Sequence, residues 1–238
     1  MTEKPSGIFI VGTDRDVGKT MIGAGIVGLL RKRGVDATLM TPIETGGSVD
    51  SAAGHLDAVG GAGVERRLFN PIRYETLASP YVAGQVEERP VNTQMLLDAF
   101  QELVGMGKFV VVEGGGAMVP LRADYFMIDL LREMNIPSLI VARTSRGTLN
   151  HCLLTLRVME MAGLIPLGVV LNGFGRFGEG FAESLNAETL AELAPAIPVL
   201  ASMEWRPSYQ ERFATFVTDL SRHEPLVRVL DGLVRRPA

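Results

Sequence analysis

Six short runs constrain the fold of this chain more than any other feature. They are GIFIVG (7–12), ATLMT (37–41), FVVVEG (109–114), SLIVAR (138–143), LGVVLN (167–172) and IPVLA (197–201). Several are apolar almost throughout. A strand with one face in water alternates apolar and polar residues, whereas a strand covered on both faces does not. Such runs need helices on both sides, and helical patterns fall between them near 19–33, 93–106, 125–135, 149–162 and 182–194. Two more are expected near 208–222 and 225–235. Within 93–106, Met95, Leu96, Ala99, Phe100 and Leu103 recur with helical spacing. The alternation predicts an α/β fold: a doubly wound, mostly parallel sheet flanked by helices. The chain has 238 residues, 47% of them hydrophobic, enough for one large core. No internal repeat or linker divides it, so residues 1–238 read as a single domain. The stretch 44–90 is the least regular, and long connections after strand ends usually build the ligand site of such a sheet.

Composition removes several function classes. The formal net charge is −4, and the only dense basic run, Arg31-Lys32-Arg33, falls at an expected helix end. Nothing there favours nucleic acid. Cys152 is the single cysteine, so no intrachain disulfide forms and a reduced, cytoplasmic setting is expected. The N-terminal MTEKPSG lacks the pattern of a signal peptide. The longest apolar stretch, Met21 to Leu30, is too short to cross a bilayer. His55, His151 and His223 show no metal-ligand spacing, and no Gly-x-Ser-x-Gly elbow occurs.

Three stretches carry chemistry. In GIFIVGTDRDVGKT an apolar run ends at Gly12, a polar loop follows, and Lys19-Thr20 opens a helical pattern. That is the setting of a phosphate-binding loop. Its backbone N–H groups face the anion, the lysine brings charge to the terminal phosphates, and the hydroxyl serves Mg²⁺. Five residues separate Gly12 from Gly18, one more than usual. In VVVEGGGAMVPL, Glu113 ends an apolar strand, where a carboxylate is costly unless paired or metal-bound. Mg²⁺ takes one or two such carboxylates beside phosphates. The third stretch, GFGRFG (173–178), matches Gly-x-Gly-x-x-Gly after an apolar strand. It reads either as a dinucleotide site or, with little chain left to complete such a domain, as a glycine loop.

These stretches, taken in order, resemble the ATP-dependent dethiobiotin synthetases. That family's loop reads G-T-D-T-x-V-G-K-T, with the same additional residue as Gly12–Thr20. PIETGG (42–47) is similar to the family's K-P-[VI]-x-[ST]-G after its lysine. HLDAV (55–59) resembles a segment with a metal-binding Asp, and NPIRYETLASPYVAGQVEERP (70–90) a substrate-side loop. VEGGGAMVPL (112–121), RTSRGTLNHCLLTLRVMEMAGL (143–164) and GVVLN (168–172) match further family elements. The likeness spans about residues 7–205.

The resemblance implies a reaction and a set of roles. CO₂ or bicarbonate supplies a carbamate on one amine of 7,8-diaminopelargonate. ATP phosphorylates the carbamate, and the second amine closes the ureido ring. Lys19 and Thr41 take the catalytic positions. Asp14, Arg15, Asp16, Val17, Gly18, Lys19, Thr20, Met21 and Asn172 are implied at the nucleotide, with Asn172 reading adenine. Thr13, Asp16, Thr45, Ser79, Gly147, Thr148 and Asn150 are implied at the substrate. Thr20, Asp57 and Glu113 would hold Mg²⁺. The helix opened by Gly147 is supplied across a homodimer interface in the family, so a homodimer is implied.

One departure stands out. Where the family has lysine before the Pro, this chain has Thr41. A threonine offers a hydroxyl but no charge, and losing one preorganised donor from a transition state costs roughly 10²–10³ in rate. Three readings follow: a slow synthetase, one with a compensating cation such as Arg73 or Arg143, or a paralogue with impaired or altered activity. Two other classes stay open on residues alone. One is a partner-stimulated ATPase switch of the same loop superfamily. The other is a nicotinamide enzyme built on Gly173–Gly178.

Overall fold

The computed structural model describes residues 5–46, 63–176, 180–206 and 212–234. In chain order the described elements are β1 (Gly7–Gly12), α1 (Lys19–Lys32), β2 (Ala37–Met40), β3 (Ile43–Thr45), α2 (Arg66–Phe69), β4 (Ile72–Tyr74), α3 (Pro80–Val86), α4 (Thr93–Gly105) and β5 (Phe109–Gly116). Then come β6 (Pro120–Arg122), β7 (Tyr125–Phe126), α5 (Met127–Met134), β8 (Ser138–Arg143), α6 (Thr148–Met161) and β9 (Val169–Phe174). The chain continues through α7 (Phe181–Ser184), α8 (Asn186–Leu193), β10 (Val199–Glu204), α9 (Phe213–Leu220) and α10 (Glu224–Val234).

All six apolar runs pair into one sheet, in the order β10-β9-β8-β1-β5-β2. Every pairing is parallel. All residues of β1 and β2 are buried, which explains why their sequences carry no polar alternation. The core is continuous from Phe9 and Ile10 through Val111 and Ile140 to Leu171 and Leu200. Because β1 lies between β5 and β8, the connection leaving it for β2 and the one from β5 to β8 diverge. The crevice beside the carboxyl end of β1 is therefore the expected binding place.

The boundaries of some elements differ from expectation. The fifth run pairs over 169–174 rather than 167–172, because β10 holds it in register out to Phe174. The helix expected over 182–194 is two short helices on either side of Leu185, where Asn186 donates its amide N–H to the Thr144 carbonyl at 3.0 Å. The irregular stretch contains a second, two-stranded parallel sheet. Its register pairs Ile43 with Ile72, Glu44 with Arg73 and Thr45 with Tyr74. Three-residue strands show no usable periodicity, so the sequence does not announce them.

The C-terminal helices close one side of α1. A Cβ on Gly25 would lie 2.6 Å from the Phe216 ring, and one on Gly28 would lie 2.9 Å from Val217 Cγ2. Both are glycine because α9 approaches the α1 backbone that closely. Arg33, just past α1, adds an ion pair to Asp231 of α10 at 3.0 Å.

Candidate active site

The loop between β1 and α1 is held on three sides. The Thr13 N–H donates to the Val141 carbonyl at 3.0 Å. Arg143, at the end of β8, donates to Asp14 Oδ2 at 2.6 Å, and Asp14 Oδ1 accepts the Arg15 N–H at 2.7 Å. On the far side, Asn172 Nδ2 donates to the Val17 carbonyl at 2.9 Å. Gly18 has φ 88°, in the left-handed region, and the Asn172 amide would sit 2.1 Å from any Cβ placed there. Glycine alone satisfies both conditions. Asp16 also has positive φ, 54°, a conformation that aspartate tolerates better than most residues. The additional loop residue is thus accommodated by a left-handed turn before the helix.

Lys19 and Glu113 face each other across this loop. Lys19 Nζ donates to the Asp14 carbonyl at 3.0 Å. Burial lowers its pKa, opposed by the charges of Glu113, Asp16 and Asp14. Glu113 accepts from Thr20 Oγ1 at 2.6 Å and from Thr41 Oγ1 at 3.3 Å. Burial raises its pKa, and Glu44 adds to that, against the Thr20 and Thr41 hydroxyls and the Lys19 charge. Each group is therefore pushed toward its neutral form by loss of water, the state of a site built to receive further charge. Among the described residues no cluster of three or more His, Cys, Asp or Glu could hold a metal alone. The pair Thr20 and Glu113 still suits Mg²⁺. Both are hard oxygen donors within hydrogen-bond reach of each other, and Mg²⁺ commonly completes its shell with phosphates and water. Asp57 lies outside the described residues.

Two connected cavities meet here. The smaller, about 360 Å³, is lined by Arg15, Asp16, Gly18, Lys19, Thr20, Glu113 and Arg176. The larger, about 810 Å³, shares Lys19, Thr20 and Glu113 and extends past Thr41, Glu44, Thr45 and Ser79. It ends among Met118, Val119, Pro120, Met127, Leu154 and Val158. The larger space thus has a polar end at the phosphate loop and an apolar end between β5, β6 and α6.

The structure gathers most of the sequence-predicted residues here. Thr13, Asp14, Arg15, Asp16, Lys19, Thr20, Thr41, Thr45, Ser79 and Glu113 all line the larger cavity. Val17 is buried and acts through its carbonyl, while Met21 packs against the core. Asn172 reaches the loop itself. Gly147, Thr148 and Asn150 do not line either cavity of the single chain. Gly147 caps α6 with φ 90°, and the buried Thr148 hydroxyl donates to the Arg143 carbonyl. The middle of α6 lines the cavity instead, through Leu154, Thr155 and Val158. Their i, i+1, i+4 spacing on one helix face was the signal available for that.

Neither Arg73 nor Arg143 lines either cavity. Arg143 is paired to Asp14, and Arg73 lies 3.2 Å from Glu44 across the β3–β4 pair. Thr41 itself is fixed at both backbone groups. Its N–H donates to Phe69 and its carbonyl accepts from Asn70 Nδ2 at 2.9 Å.

A strand, a glycine loop with its lysine at a helix start, and an acid on the adjacent strand define a P-loop nucleotide-binding protein. Comparison with known proteins agrees and goes further. A family model described as an AAA domain matches residues 6–212. The ATP-dependent dethiobiotin synthetase BioD of Anaeromyxobacter dehalogenans is 34% identical over 209 residues, covering 87% of this chain and 93% of that protein. BioD of Nitrosopumilus maritimus is 32% identical over 205 residues, covering 82% and 90%. Among solved structures, the Cyanothece McdA–ATP complex aligns over the whole of both chains with TM-score 0.59 at 14% identity, a likeness of fold. The chain belongs to the ATP-dependent dethiobiotin synthetase family.

Proposed function

We propose that the chain closes the ureido ring of dethiobiotin from 7,8-diaminopelargonate and CO₂, using ATP. The carrying observation is the meeting of Lys19, Thr20, Thr41 and Glu113 where the cavity at the phosphate loop opens into a larger, apolar-ended one. That junction is where a terminal phosphoryl group and a carbamate must meet. Lys19 neutralises charge on the transferring group, and the loop N–H groups orient it. Thr20 and Glu113, with Asp57 as the family resemblance implies, would hold Mg²⁺, which would supply positive charge to the phosphates. Asp16, Thr45 and Ser79 orient the diamine head, while Met118, Met127, Leu154 and Val158 receive its alkyl chain. Thr41 donates a hydrogen bond toward the carbamate.

The substrate carboxylate has no cation at the apolar end of the cavity among the described residues. Gly147, Thr148 and Asn150 of a second copy serve that end, which makes a homodimer the working form. Leu154, Met161 and Ile165, each more than half exposed on and after α6, support an apolar contact between copies. Among the described residues no helix is long and apolar enough to cross a membrane, and we assign the protein to the cytoplasm. The test is ADP release with dethiobiotin identified by mass. Release is expected only with diaminopelargonate and bicarbonate together. ATP hydrolysis indifferent to both would overturn the assignment.

A further inference from the structure

The glycine motif at 173–178 is left over from the reading above, yet its described part, 173–176, borders the site. Two residues before β9 ends, Asn172 donates to the Val17 carbonyl, so the end of the strand lies beside the phosphate loop. Gly173 and Gly175 then take φ 86° and 85°, and the Arg176 N–H donates back to the Gly173 carbonyl at 3.1 Å. The result is a tight turn that only glycine enters without strain. Its product is position: Arg176 lines the 360 Å³ cavity together with Thr20 and Glu113.

We propose that Arg176 is a phosphate-binding residue of the nucleotide site and supplies the positive charge that Thr41 does not. The inference rests on the ATP-dependent reading for its catalytic part only. Among the described residues, the cations lining this cavity are Arg15, Lys19 and Arg176. Arg15 belongs to the loop and Lys19 to its motif. Arg73 and Arg143 line neither cavity. Against the three cations stand Asp16 and Glu113. Without Arg176 the lining side chains bring no net positive charge of their own, because Asp16 and Glu113 balance Arg15 and Lys19. A guanidinium also matches phosphate geometry with a two-pronged donor set, which an ammonium does not. During transfer a carbamate oxygen bonds to the γ-phosphorus. The bond from that phosphorus to the β–γ bridging oxygen breaks, and its electron pair leaves on ADP. Arg176 stabilises the charge that gathers on the phosphate oxygens in this step.

The experiment uses the full chain, its Arg176→Gln and Arg176→Lys variants, and each combined with Thr41→Lys. Affinities for ATP and for AMP are measured by titration calorimetry, and dethiobiotin formation in a single turnover. Arg176→Gln is expected to weaken ATP about tenfold while leaving AMP nearly unchanged. It should slow turnover by roughly 10²-fold, with Arg176→Lys intermediate. Thr41→Lys should restore more of the rate in the Arg176→Gln background than it adds to the unaltered chain. Equal losses for ATP and AMP, or no loss for either, overturn the proposal. An unaltered chain that binds ATP but forms no dethiobiotin overturns the function proposed above, while the ATP-to-AMP contrast still decides Arg176.

Discussion

The two ends of the site are built differently. The phosphate end is one continuous stretch, Gly12–Thr20, anchored by β5, β8 and β9 of the main sheet. The far end is assembled from β3, the start of α3, the turn after β5, the start of α5 and the middle of α6, five separate segments. The first is over-determined: each flank of the loop has its own tie to a neighbouring strand. The second depends on small contacts such as the three-residue β3–β4 pairing and the bond from Asn70 to Thr41. Phosphate binding is therefore fixed by the sheet, whereas the pocket for the other substrate is free to vary with its loops.

Breaking the phosphate end should have the largest effect. Lys19→Ala is expected to lower ATP turnover by roughly 10³-fold or more. Its melting temperature should stay close to that of the unaltered chain, because burial already strains the charged form of Lys19. Steady-state ADP release and a thermal melt check both halves. Thr41→Lys comes next, since it adds charge at the boundary of the two ends. Dethiobiotin formation should rise about tenfold in the Arg176→Gln background and far less in the unaltered chain, where Arg176 already serves; an equal rise in both would show that the two positions act separately. The smallest effect is expected at the far end. Asn70→Ala removes the partner of the Thr41 carbonyl, at a cost of about 1–3 kcal/mol. It should raise KM for diaminopelargonate severalfold with little change in KM for ATP. Equal changes in both would show that the two ends are less independent than their construction suggests.

The same contrast governs what could be read from the sequence. The six sheet strands were legible because burial on both faces removes polar residues from them. Gly18, Lys19, Thr20 and Glu113 were legible because phosphate chemistry demands those residue types at fixed spacing. β3 and β4 were not, because three residues show no period. Leu154, Thr155 and Val158 read as ordinary helix positions, since a cavity wall and a core have the same apolar pattern. Arg176 was hidden differently. The glycines around it match a dinucleotide motif, but their work is to turn the chain back toward the phosphate loop. Gly147, Thr148 and Asn150 were proposed at the substrate, yet in one chain that turn serves to start α6.

The packing of α9 onto Gly25 and Gly28 has a consequence for where this protein ends as a folding unit. The family match stops at residue 212, and α9 begins at Phe213. Cutting the chain at the family boundary would strip Phe216, Val217 and Leu220 from the back of α1, the helix whose first turn carries Lys19 and Thr20. A glycine-floored groove would then face water on the helix that must hold the phosphate loop still. The stretch that the family model matches is shorter than the unit that packs together, and the difference is the apolar lining behind α1.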